Sequence, residues 1–328
     1  MIYKQTGKIQ EKISALGVGC WNMGGDWDTS NQKNAKEIIH AAIDMGVNFF
    51  DVAPVYGWGT SEEVLGNALK QNGSRHKVLI ASKCGLVWEK PQVTENNLSK
   101  QSMLKEIDAT LKRLQTDYVD IYQLHWPDSA TPLEETAEAL EIMKKAGKIR
   151  YVGMSNYGQN EVEKMMQYIS VDCQQGLYNI LERNAASYHN IPLDYRTEKE
   201  VFPNVKKYGQ AFLPYSLLMQ GLLAGKFADD FSVSEKDVRI SNPKLTGKDF
   251  PVYQKGAAKL RAFGEEIGHP INEVVLNWMR QKEEITSVIN GVSNVQQLES
   301  NLHCITWELT QDEIDSINNI LAIFETME

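Results

Sequence analysis

Residues 118–156 read YVDIYQLHWPDSATPLEETAEALEIMKKAGKIRYVGMSN. Tyr118 to Leu124 is a short run rich in β-branched and aromatic residues, the pattern of a strand. Leu133 to Ala146 spaces its apolar residues as a helix does, Ala146-Gly147-Lys148 is a helix stop, and Ile149 to Met154 is a second strand. Two strands joined through a helix run parallel, so this stretch is one right-handed βαβ unit.

The alternation extends in both directions. Strand-like runs occur at Ala15 to Gly19, Asn48 to Asp51, Val78 to Ser82, Val171 to Cys173, Ala211 to Tyr215 and Thr286 to Asn290. Helical patterns follow them at Asn34 to Met45, Ser61 to Gln71, Lys100 to Leu114, Gln159 to Tyr168, Val201 to Tyr208, Ile271 to Gln281 and Val295 to Cys304, with Ser61 read as a capping hydroxyl. Eight βα units most economically close into a (β/α)8 TIM barrel, an α/β fold; an open doubly wound sheet is the alternative. The 328 residues hold no Pro/Gly/Ser-rich linker, so 1–328 is expected to be a single domain. Residues 1–14 read as an amino-terminal hairpin turning at Thr6-Gly7 that plugs the barrel mouth. Phe250 to Ile267 and Thr310 to Phe324 read as extra helices, and Asn184 to Phe202 as a surface or lid loop.

Lys and Arg number 34 against 43 Asp and Glu, a net charge of −9 that argues against a nucleic-acid or acidic-membrane partner. There is neither a signal-peptide pattern nor an apolar span of ~20 residues, and Cys20, Cys84, Cys173 and Cys304 form no CxxC pair, so a cytoplasmic, reduced setting is expected. The six histidines make no HxH or HExxH pattern, and no catalytic metal is expected.

A barrel places its chemistry at the carboxyl ends of its strands. Asp51, Lys83, His125, Ser155 with Asn156, Gln175 and Tyr215 each end or follow a different strand-like run. Alone, an Asp there is more often a turn former and a Lys a solvated charge; repetition at one rim is what points to a site. Trp21, Trp58, Trp88 and Trp126 lie in or beside rim loops and are candidate apolar walls for a substrate.

These residues also carry a resemblance. Asp51 to Gly66, DVAPVYGWGTSEEVLG, resembles the aldo-keto reductase motif in which an Asp and a Tyr five residues on flank a turn leading into a helix. ASKCG around Lys83, QLHWPD around His125, GKIRYVGMSN, QGLYN and GLLAGK follow in the family's order, so the chain resembles that family over essentially its whole length, in its bacterial NADP-dependent oxidoreductase type, which is related to channel beta-subunit-like members. The resemblance implies a tetrad of Asp51, Tyr56, Lys83 and His125. Reduction of a carbonyl leaves an alkoxide that needs a proton, and a phenol is a weak donor near neutrality unless tuned. Lys83 is expected to lower the Tyr56 pKa, Asp51 to keep Lys83 charged, and His125 to donate a hydrogen bond to the carbonyl oxygen.

The resemblance further implies that Ser155, Asn156 and Gln175 hold a nicotinamide carboxamide and that Tyr215 stacks on its ring. Gln175 is preferred over Gln174 because it stands three before Tyr178. Ser216, Leu217, Gly221, Lys226 and Arg239 then fall to the rest of the cofactor, the last two to its phosphates. Gly291, Ser293, Gln297 and Asn301 fall to the adenosine end. Asn290 stands where relatives often have proline and Gln297 where some have arginine; NADPH is the expected cofactor, with NAD second. No GxGxxG follows the first strand, so no Rossmann domain is expected. The implied function is reduction of an aldehyde or ketone, or oxidation of the corresponding alcohol or sugar hydroxyl. The alternative is a cofactor-binding auxiliary subunit with little turnover, as serves membrane channels in this superfamily. Expected partners are the small carbonyl or alcohol and, if the 184–202 loop is an oligomer contact, a second copy of the chain.

Overall fold

A computed structural model describes residues 1–25, 32–91, 93–225 and 237–325. Eight parallel strands form its centre: β1 Leu16–Gly19, β2 Phe49–Asp51, β3 Leu79–Cys84, β4 Val119–Leu124, β5 Ile149–Ser155, β6 Cys173–Leu177, β7 Ala211–Tyr215 and β8 Val288–Asn290. They pair in the order β7-β6-β5-β4-β3-β2-β1-β8. The Thr286 N–H donates to the Phe212 carbonyl at 2.9 Å and the Phe212 N–H to Thr286 Oγ1 at 3.1 Å, which joins the outermost strands and closes the barrel.

The helices pack outside: α1 Gln32–Asp44, α2 Thr60–Gln71, α3 Lys100–Leu114, α4 Leu133–Lys145, α5 Gln159–Met165, α6 Phe202–Tyr208, α7 Phe250–Glu266, α8 Ile271–Arg280, α9 Val295–His303 and α10 Gln311–Glu325. In α3 the reason is plain from the sequence. Ser99 accepts from the Ser102 N–H at the start, Met103, Ile107, Thr110 and Leu114 make the buried stripe, and Lys112 and Arg113 sit in the last turn against the helix dipole.

Inside the barrel the two-residue period of a strand sorts the side chains. Phe49, Leu79, Ala81, Ile121, Cys173, Ala211, Leu213 and Ile289 make one apolar cluster, sealed below by Ile9 and Ile13 of the amino-terminal segment. A Cβ on Gly17 would lie 2.6 Å from the Phe49 ring, so the floor is filled to the backbone of β1. Two residues further along the same faces come Asp51, Lys83, Gln123, Gln175 and Tyr215. The floor is apolar and the next level polar.

Several boundaries differ from the sequence reading. The sixth strand is Cys173–Leu177 rather than Val171 to Cys173, because its inward polar level, Gln175, hides an otherwise buried run. The amino-terminal pairing is Tyr3–Lys4 with Ile13–Ser14, so the chain does not turn tightly at Thr6-Gly7 but makes a broad loop that lowers Ile9 into the barrel. α2 begins at Thr60, and Ser61, instead of capping it, donates to the Cys20 carbonyl at 2.6 Å. An antiparallel hairpin, Leu86–Lys90 with Val93–Asn96, follows β3 and was not expected; its mostly exposed, charged strands carry no apolar alternation to signal it. Among the described residues no helix is long and apolar enough to cross a membrane, and all four cysteines are free and buried.

Candidate active site

At the carboxyl ends of β2 and β3 the Lys83 ammonium is wholly buried. It donates to Asp51 Oδ1 at 2.7 Å, to the Tyr56 hydroxyl at 3.1 Å and to the Val52 carbonyl at 3.2 Å. Three donors thus meet three acceptors, the condition for keeping a charge in so dry a place. Asp51 spends its second oxygen on Gln175 Nε2 at 2.9 Å and Gln123 Nε2 at 3.4 Å. Burial works to depress the Lys83 pKa, but Asp51 and Tyr56 outweigh it and hold the ammonium above its ordinary range.

Tyr56 sits in the turn between β2 and α2. Gly57 beside it has φ +58°, and a Cβ there would lie 1.9 Å from the Gly24 carbonyl oxygen; only glycine lets the two loops touch. That contact brings Trp21 onto the Tyr56 ring, stacked at 5.8 Å. The expected lowering of the Tyr56 pKa is not the net result. Burial raises it, Lys83 pulls it down by less, and the phenol keeps its proton above the ordinary value of 10.0. His125, edge-on to Tyr56 at 6.0 Å, is driven well below the ordinary imidazole range by burial and then by Lys83, so it stays neutral.

On the other side of the mouth Asn156, at φ +65°, is a hub. Its Nδ2 donates to the His125 carbonyl and to Ser155 Oγ, both at 3.1 Å, while its Oδ1 accepts from Tyr215 at 2.7 Å and Tyr195 at 3.1 Å. The segment 184–202 is therefore not a loose lid. It contains a small hairpin, Ser187–Tyr188 with Ile191–Pro192, and then turns inward. Tyr195 is 2% exposed and also accepts from the Leu177 N–H at 2.9 Å; the Arg196 guanidinium binds the carbonyls of Leu193 and Tyr195. These two side chains fasten the loop. Tyr188 lies edge-on to Tyr215 at 5.1 Å, and burial together with the nearby Tyr56 keeps its phenol protonated. Trp21, Trp58, Trp88 and Trp126 are all half-buried, with Trp58 edge-on to Trp88 at 5.7 Å. Gln123 is the residue the sequence reading missed; its place two before His125 on an inward face was the available signal.

The distal positions are arranged differently from expectation. Lys226 lies outside the described residues. Arg239 is buried and paired in two bonds with Asp237, at 2.8 and 2.6 Å. Gln297 accepts from the Ser293 N–H at 3.0 Å and so helps cap α9, where Asn294 accepts from the Gln297 N–H. Asn301 is buried and accepts from Asn272 at 2.9 Å. Ser216, Met219, Gln220 and Gly221 all have positive φ, so the chain after β7 is strained where the resemblance puts Ser216, Leu217 and Gly221. At the end of β8, next to Gly291, Asn290 Nδ2 and Asn22 Oδ1 are buried with no hydrogen-bond partner among the described residues. Gln175 Oε1 accepts no bond among those residues either, since only its amide nitrogen is engaged, by Asp51. Unmatched donors and acceptors at the rim suit a ligand with amide and hydroxyl groups, as a nicotinamide nucleotide has.

A model of the Aldo/keto reductase family matches residues 15–322. The chain is 32% identical over 312 residues to the Aldo-keto reductase YhdN of Bacillus subtilis, spanning 94% of this chain and 90% of that one. It is 29% identical over 315 residues to a probable voltage-gated potassium channel subunit beta of Arabidopsis thaliana, spanning 93% and 91% of the two chains. The solved glycerol dehydrogenase AKR11B4 from Gluconobacter oxydans is 29% identical and matches with a TM-score of 0.86 over 98% of this chain and 95% of that one.

Proposed function

The chain belongs to the aldo/keto reductase family, and from that membership we propose that it is a metal-independent NAD(P)H-dependent oxidoreductase that interconverts a small aldehyde or ketone with its alcohol. The observation that carries this reading is the single Lys83 ammonium bonded at once to Asp51 and to the Tyr56 hydroxyl. When bound, the nicotinamide supplies the hydride to the carbonyl carbon or accepts it from the alcohol. Ser155, Gln175 and Tyr215 would hold its carboxamide and ring, with Asn156 exchanging one of its present bonds to join them; Ser216, Leu217, Gly221, Lys226 and Arg239 would hold its middle, and Gly291, Ser293, Gln297 and Asn301 its adenosine end. NADPH is the proposed partner, with NADH second.

Tyr56 gives its proton to the oxygen that gains charge, and Lys83 steadies the phenolate left behind. Asp51 keeps that lysine charged throughout. His125, held neutral, has an N–H to place on the same oxygen. Trp21, Trp58, Trp88, Trp126 and Tyr188 wall the substrate. In the oxidative direction Tyr56 takes the proton back.

A second reading, a cofactor-binding subunit without turnover, is supported by the likeness to the Arabidopsis channel subunit; the intact proton-donating group argues for chemistry. Purified, chelator-treated protein is to be mixed with NADPH or NADH and a panel of aldehydes, activated ketones and sugars. Cofactor oxidation that depends on the carbonyl supports the enzyme. Tight cofactor binding with no turnover across the panel supports the subunit.

A further inference from the structure

Away from the barrel mouth, three side chains on separate segments turn their ligand atoms toward one point. His269 lies in the linker between α7 and α8, Glu273 in the first turn of α8, and His303 at the last position of α9. His303 Nδ1 is 2.8 Å and His269 Nδ1 3.3 Å from the same carboxylate oxygen, Glu273 Oε2. The ligand atoms of the three residues all lie within 4.8 Å of one another. We propose that this cluster is a binding site for a borderline divalent cation of the zinc class, which clips the start of α8 to the end of α9.

The argument is geometric. Ligands ~2.0–2.2 Å from a tetrahedral ion stand roughly 3.3 Å apart. The His269 to Glu273 separation already has that value; the His303 to Glu273 pair needs about half an ångström of opening and the two imidazoles, within 4.8 Å of one another, settle at the same spacing, adjustments that fall to His303, 56% exposed in its side chain. The remaining parts are fixed. Trp307 stacks on the His269 ring at 3.6 Å and 11°, and its Nε1–H donates to Glu273 Oε2 at 3.2 Å, a supporting bond of the kind that orients a metal-binding carboxylate. Glu273 itself is nearly buried, and no Lys or Arg pairs with it among the described residues. One oxygen facing three nitrogens is crowded for hydrogen bonding alone. Two imidazoles and one carboxylate suit zinc, nickel or cobalt rather than magnesium or calcium, and the fourth position is left to water. Cys304 follows His303 but is fully buried, its thiol pushed up to about 12 by burial, and it takes no part.

The site lies on different residues from the proposed catalytic ones, so its test is separate from that of the reductase reading. Metal-free, tag-free protein is titrated with zinc chloride by calorimetry, and again with magnesium chloride. The expected result is one zinc per chain, no magnesium, and a higher midpoint of thermal unfolding with zinc. His303→Gln, at a surface helix end that should fold normally, and Glu273→Gln should each weaken zinc binding by at least tenfold and cancel the thermal shift. His76→Gln, which removes an exposed histidine elsewhere, should leave both intact. Absence of zinc binding in the wild type, or equal binding by all three variants, overturns the proposal.

Discussion

Tyr56 is positioned by contacts of three kinds: a hydrogen bond from Lys83, a stacked Trp21, and a turn that only glycine at 57 permits. If it is the proton donor, Tyr56→Phe should bind the cofactor normally yet lose roughly 10²- to 10⁴-fold in kcat, read by steady-state kinetics beside fluorescence titration of NADPH. Near-normal kcat would identify a different acid. Lys83→Met should be as damaging to turnover and should also destabilise the fold by about 3–5 kcal/mol in denaturant unfolding, since it leaves Asp51 buried beside a methionine. Unchanged stability would mean that water reaches the pocket. At this scale the sequence was informative in that the motif's Asp51, Tyr56, Lys83 and His125 do meet at one rim, with strand parity turning Asp51 and Lys83 inward and the β2–α2 turn delivering Tyr56. It was misleading about the sign of the Tyr56 shift, since composition carries no measure of how deeply a phenol is buried.

Among the elements, the segment between β6 and α6 behaves least as its sequence suggests. Polar and Tyr-rich, it reads as a surface or lid loop; in the structure Tyr195 and Arg196 anchor it and leave Tyr188 as the side chain that meets the Tyr215 ring. Tyr188→Ala is therefore expected to shift KM by roughly tenfold and to reorder a substrate panel while the unfolding midpoint stays close to wild type. A panel ranked as before would remove Tyr188 from the substrate wall. The hairpin at Leu86–Asn96 escaped the sequence for a related reason. Its strands are held by backbone pairing rather than by burial of one face, so hydrophobic periodicity, which located seven barrel strands and met the sixth only at Cys173, has nothing to register there.

For the whole molecule, buried titratable groups make stability depend on pH in opposing senses. Glu106, close to β3, has its pKa raised from 4.5 to about 7 by burial. Between those values the folded chain holds a proton that the unfolded chain has lost, so this group's contribution to stability falls as pH rises and is flat above. His125 and His189 are depressed, the latter to about 4, and act oppositely below 6.5, where the unfolded chain takes up protons that the folded chain refuses. Glu106→Gln removes only the first effect. Its stability relative to wild type should rise from pH 5 to 7, measured by urea unfolding, and a constant difference would show that Glu106 titrates normally. The closed barrel followed from the alternation of runs; the fastening of Arg239 to Asp237 and of Gln297 to the α9 cap did not, because such pairings depend on distances that no spacing encodes. The central claim, that this rim transfers a hydride under the control of Tyr56, is tested most directly with nicotinamide cofactor carrying deuterium at the transferable position. Wild-type protein is predicted to deliver the label to the carbinol carbon of the alcohol product, seen by mass spectrometry, and Tyr56→Phe to deliver it at a rate lower by the factor given above; unlabelled alcohol, or labelled alcohol formed equally fast by the variant, would contradict it.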